Sequence, residues 1–60
     1  MAMLHKTLKK LRTQHGMTQE ELATHLHVVR QTVSKWEKGL SVPDADTLLA
    51  IGQLFETPVS

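Results

Sequence analysis

Arg30, Gln31 and Lys35 carry the hydrogen-bonding power of one short stretch, VVRQTVSKWEKG, Val28 to Gly39. The stretch reads as helix, because its only breaker is the Gly39 that closes it. On a helix Val33 and Trp36 are i, i+3 neighbours and point one way. Arg30, Gln31, Ser34, Lys35 and Lys38 point another, outward. That outer face offers cations, an amide and a hydroxyl. Its chemistry is donation of hydrogen bonds to an anionic partner, or simply solvation. Trp36, at the last apolar position, is expected in the core rather than stacked on a ligand.

Other chemistries find no support. The 60 residues include no cysteine, so neither a disulfide framework nor a thiolate metal site is available, and a reducing cytoplasm fits. His5, His15, His25 and His27 do not pair at i, i+4 on one helix with a third ligand nearby, so neither a metal nor another cofactor is expected. No nucleophile is set beside a base, and so short a chain has little room for a water-excluding pocket. An enzyme is not expected. No apolar run approaches the roughly 20 residues of a membrane span.

The net charge of +1 hides an uneven distribution. Residues 1–15 hold Lys6, Lys9, Lys10 and Arg12 with no acid, and residues 29–39 set Arg30, Lys35 and Lys38 against Glu37 alone. Residues 40–60 contain Asp44, Asp46 and Glu56 with no base. Such a dipolar molecule can turn its positive side to a polyanion.

Four helical segments must position these groups. Leu4, Leu8 and Leu11 follow i, i+4, i+7, giving a first helix near 3–14 that ends at Gly16. Thr18 opens a second, about 19–26. Glu21 stands three residues later to complete a capping box, and Leu22, Ala23 and Leu26 form the buried side. The third covers about 30–38. Pro43 breaks the chain, Asp44 can cap a new helix, and this fourth helix runs about 45–55 with Ala45, Leu48, Ile51, Gly52 and Phe55 inward. A helix-interior glycine costs about 1 kcal/mol relative to alanine, so a close helix contact at Gly52 is expected. Thr57 and Pro58 read as the start of a further, truncated helix. The fold class is all-α, a compact four- to five-helix bundle in one domain over 1–60.

Only three or four residues separate the second and third helices. Their apolar positions, 22, 26, 28, 33 and 36, are buried together if the helices cross steeply, which is the geometry of a helix-turn-helix. Ala23 fits the point of closest approach. The stretch TQEELATHLHVVRQTVSKWEKGLSVPDADTLLAIGQLF resembles the lambda-repressor-like, phage repressor/Cro helix-turn-helix domain of the XRE-type bacterial regulators. The resemblance runs from about Leu4 to Phe55, with TQEELA, RQTVSKWEKG and PDADTL in the family's order and spacing.

The resemblance implies a sequence-specific double-stranded DNA-binding transcriptional regulator, expected to be a cytoplasmic repressor. The third helix would enter the major groove. The base-contacting positions fall on Val29, Arg30, Gln31 and Lys35. Arginine and lysine suit guanine, glutamine suits adenine and valine suits a thymine methyl. Gln19, Thr32, Ser34 and Lys38 would meet phosphate, Gln19 from the first turn of the second helix, with Lys9 and Lys10 as weaker candidates. Arg12 and Glu37 would form an inward, structural ion pair. The partner would be a pseudo-palindromic operator bound by a homodimer, with half-sites about 10 bp apart. The family places its dimer contact near or after the last helix, so the chain alone is expected to be monomeric or weakly dimeric.

Two positions depart from the family's pattern. His27 stands where glycine is usual in a left-handed turn, at a cost of about 1–2 kcal/mol. Val29 stands where a serine or threonine usually caps the third helix. The alternative reading is an antitoxin or other interaction module that holds a partner protein, which an exposed apolar patch on the fourth helix would favour.

Overall fold

A computed structural model describes residues 4–55. The described residues form four helices and no strand: α1 (Leu4–Gln14), α2 (Gln19–Leu26), α3 (Arg30–Glu37) and α4 (Ala45–Phe55). Thr57 and Pro58, where a further helix is expected, lie outside them. The core is Leu8 of α1, Leu22 and Ala23 of α2, Val33 and Trp36 of α3, and Ile51 of α4, all buried. Leu26, Val28, Leu54 and Phe55 close over its edges. Helix α2 packs on α3, α1 on α3 and α4 on α2, with small Ala23 buried in the shared core.

Three helices end in the same way. At α1 the Gly16 N–H bonds to the Thr13 carbonyl at 3.0 Å and the Met17 N–H to the Arg12 carbonyl at 3.0 Å. At α2 the His27 N–H reaches Thr24 at 3.2 Å and the Val28 N–H reaches Ala23 at 3.0 Å. At α3 the Gly39 N–H reaches Trp36 at 3.1 Å and the Leu40 N–H reaches Lys35 at 2.9 Å. Each is a Schellman ending, which satisfies carbonyls that the last helical turn leaves over. It needs one residue with positive φ: Gly16 at 69°, Gly39 at 77° and His27 at 60°. Glycine adopts that conformation freely, whereas His27 is strained by its Cβ.

The helix starts are less uniform. At α2 the Thr18 hydroxyl accepts from the Glu21 N–H at 3.0 Å and the Glu21 carboxylate accepts from the Thr18 N–H at 2.8 Å, a complete capping box. At α3 Val29 is the extended N-cap and makes no side-chain hydrogen bond. The helix closes one residue earlier than its pattern suggests, because Lys38 is already the C-cap. At α4 the Asp44 carboxylate accepts from the Thr47 N–H at 3.1 Å. The Thr47 side chain and this N–H hold the Asp44 carboxyl below its ordinary range. The cap therefore acts in full above the ordinary carboxylate pKa and is lost as pH falls through the lowered one.

Of the leucines that mark α1, Leu8 is buried, Leu11 half-buried and Leu4 exposed, lining a groove with His5, Trp36, Gly39, Ser41 and Val42. One apolar expectation needs correction. Helix α4 buries only part of its expected face. Ile51 is buried with Leu54 and Phe55 half-buried, whereas Ala45 is exposed and Leu48 and Leu49 are 42% and 63% exposed. A Cβ on Gly52 would meet nothing within 4 Å, so no close helix contact inside the chain explains that glycine. The sequence ADTLLAIGQLF is apolar nearly all round, and period alone does not select its buried stripe.

The strained turn can be relieved. His27→Gly is expected to stabilise the chain by about 1 kcal/mol, raising the melting temperature by roughly 4–8 °C for a domain of this size. An unchanged or lower melting temperature, measured by circular dichroism, would show that the left-handed turn carries no strain.

Candidate nucleic-acid interface

The site is organised from the inside outward. Arg12, in the last turn of α1, is buried although it is charged. Its Nε donates to Glu37 Oε2 at 2.6 Å and its Nη2 to Glu37 Oε1 at 3.1 Å. Its Nη1 donates to the Met17 carbonyl at 2.7 Å. One guanidinium therefore ties α1, the α1–α2 turn and the end of α3 together. The side chains of Arg12 and Glu37 are 10% and 4% exposed. A bidentate fork is the geometry in which a buried pair compensates best for its desolvation.

The network continues to the surface. Gln19, at the first position of α2, donates from Nε2 to Glu37 Oε1 at 3.0 Å. Its Oε1 accepts from Arg30 Nη1 at 3.4 Å. The carboxylate can only accept and the guanidinium can only donate, which fixes the amide's orientation. Thr18 and Glu21 cap α2 between them and leave the Gln19 side chain free for this span.

The electrostatic consequence falls on the outer face of α3. Glu37 is the one acid among residues 29–39. It faces inward, where Arg12 neutralises it. Among the described residues no ion pair engages Arg30, Lys35 or Lys38. These three cations, with Gln31 and Ser34, line one groove. Arg30, Gln31, Lys35 and Lys38 are exposed and Ser34 is half-buried.

Not every expected contact residue shares that groove. Val29 is 65% exposed but sits before the helix, outside the lining. Thr32 is half-buried and also outside it. Gln19 touches the groove only through Arg30. Lys9 and Lys10 are exposed on α1. Trp36 is 5% exposed and belongs to the core. Leu40 does line the groove, though no sequence signal marked it as a site residue. The nearest signal was Gly39, whose left-handed turn fixes where the next residue goes. Among the described residues no group of three or more His, Cys, Asp or Glu side chains is placed to hold a metal ion, and no helix is long and apolar enough to cross a membrane.

Known proteins with similar sequences carry the same element. The family described as helix-turn-helix matches residues 8–60. The chain is 38% identical over 55 residues to the HTH-type transcriptional activator BcrR of Enterococcus faecalis, covering 92% of this chain and 27% of that protein. It is 38% identical over 52 residues to the HTH-type transcriptional regulator ImmR of Bacillus subtilis, covering 87% and 41% respectively. A putative HTH-type transcriptional regulatory protein of Pyrococcus horikoshii is 37% identical over 54 residues, 90% of this chain and 17% of that one. The chain thus spans less than half the length of these relatives. No solved structure gives a significant match.

The ion pair is the part of the site whose loss is most damaging. Glu37→Ala strands the Arg12 guanidinium and is expected to cost about 3–5 kcal/mol, enough to unfold much of so small a domain. The double variant Arg12→Met, Glu37→Leu removes both charges and should recover most of that loss. Urea melts of the three chains check it. A double variant as unstable as Glu37→Ala would show that the pair contributes more than the avoidance of a stranded charge.

Proposed function

Since the chain belongs to the helix-turn-helix family, we propose that it is a sequence-specific, double-stranded DNA-binding transcriptional regulator that reads the major groove with α3. One observation carries this: the groove on α3 gathers Arg30, Gln31, Ser34, Lys35 and Lys38, and Glu37, the one acid of residues 29–39, is turned inward and neutralised. Arg30 and Lys35 donate to guanine O6 and N7, and Gln31 pairs with adenine N6 and N7. Lys38 and Ser34 hold phosphate, as do Thr32 and the N-terminal turn of α2 beside Gln19, where the helix dipole favours an anion. Val29, exposed just before α3, stands beside these residues without lining the groove. The protein acts in the cytoplasm as a binding protein rather than an enzyme, and represses where its operator overlaps a promoter.

One reading head discriminates poorly, and two copies on successive major-groove turns supply the specificity. Their half-sites lie about 10 bp apart and form a pseudo-palindrome. The outer face of α4, where Ala45, Leu48, Leu49 and Gly52 line an apolar groove, favours a further reading beside this one. It suits contact with a protein, either the second copy of the homodimer or, in an antitoxin, a partner.

Base readers and phosphate contacts leave different signatures. Arg30→Ala and Gln31→Ala should each cost about 1–3 kcal/mol on the preferred sequence and relax preference at one base pair. Lys38→Ala should weaken every sequence alike and lower the log–log salt slope by about 1. Quantitative binding to a panel of single-base-pair variants separates these outcomes. A uniform loss on Arg30→Ala, with preference intact, would remove that residue from the base readers.

A further inference from the structure

Every residue that lines the groove along α3 is of a polar or charged type except Leu40, which follows the end of the helix. Leu40 is 72% exposed. A single exposed leucine is ordinary in itself; what distinguishes this one is how it is held. Its N–H closes the Schellman ending of α3 on the Lys35 carbonyl at 2.9 Å. In such endings an apolar residue at this position commonly packs back on the residues one turn earlier. Here those residues are Ser34 and Lys35, both of them polar members of the same groove. Neither is an apolar residue, and the Leu40 side chain stays exposed among the proposed reading residues with its backbone fixed.

The surroundings state what it would meet. Arg30, Lys35 and Lys38 draw a phosphate backbone to this face. On the base edges of the major groove the apolar group on offer is the C5-methyl of thymine. We propose that Leu40 is a specificity-determining residue that packs on a thymine C5-methyl next to the base Lys35 contacts. This rests on major-groove reading by α3, and it assigns to Leu40 the methyl contact that the family resemblance implies for Val29, which lies outside the groove.

Deleting one methyl at a time tests it. The preferred duplex is first selected from a random library. Each thymine in a half-site is then replaced by deoxyuridine, and binding is measured by fluorescence anisotropy for the unchanged chain, Leu40→Ala and Val29→Ala. One thymine per half-site should show a loss of about fourfold on replacement, the worth of one buried methyl-sized group. Leu40→Ala should erase that dependence, and Val29→Ala should keep it. Leu40 is exposed, so its truncation leaves the core untouched, which matching melting curves verify. A thymine effect that persists in Leu40→Ala, that vanishes only in Val29→Ala, or that is absent throughout would overturn the Leu40 assignment alone. Failure of the chain to select any sequence would overturn major-groove reading, and the Leu40 contact with it.

Discussion

The buried pair of Arg12 and Glu37 is the constraint on which the rest of the molecule depends. It joins residues 25 apart in sequence and fixes the end of α3 against α1. Its worth is not mainly a net gain in stability, because two buried charges lose nearly as much in desolvation as they recover from each other. Its worth is geometric. The fork has one good orientation, the third Arg12 donor fastens the turn into α2, and Gln19 carries the same carboxylate's influence out to Arg30. The pair also makes an electrostatic choice. By holding Glu37 inside, it leaves the outer face of α3 basic in a chain whose total charge is only +1.

Around that constraint the chain economises. Sixty residues bury a small core, and each helix depends on its ends. Three of them end in the same hydrogen-bond pattern, and α2 and α4 are capped by Thr18 and Asp44. The two weak joints lie side by side between α2 and α3. His27 holds a left-handed backbone that glycine would hold more easily, and Val29 caps α3 without a hydrogen bond. The turn is thus fixed less by its own residues than by the packing of Leu22, Ala23, Val33 and Trp36 on either side of it.

Much of this was legible in the sequence, for local reasons. Gly16 and Gly39 mark helix ends because positive φ selects them. Thr18 with Glu21 marks a helix start because the box is a local pattern within four residues. Val33 and Trp36 mark a buried face because polar residues surround them. Where such contrast is missing the sequence is silent. Helix α4 is apolar on most sides, so only part of its expected stripe is buried: Ile51 and Phe55 face the core, Ala45 and Leu48 do not, and Gly52, expected at a close contact, meets open space. Leu40 was missed because it lies just past a helix and obeys no period. The span of Gln19, on α2, between Glu37 and Arg30 at the two ends of α3 is a side-chain bridge between helices, which no spacing reveals.

The most direct measurement is selection of bound duplexes from a random library at two salt concentrations. Phosphate contacts weaken steeply with salt whatever the sequence, whereas base contacts decide which sequences survive. Recovery of one motif, repeated with two-fold symmetry at a constant spacing and retained at the higher salt, is the expected result. Recovery of unrelated sequences that are all released by a modest rise in salt would mean that α3 presents charge without reading bases, and would contradict the proposed function.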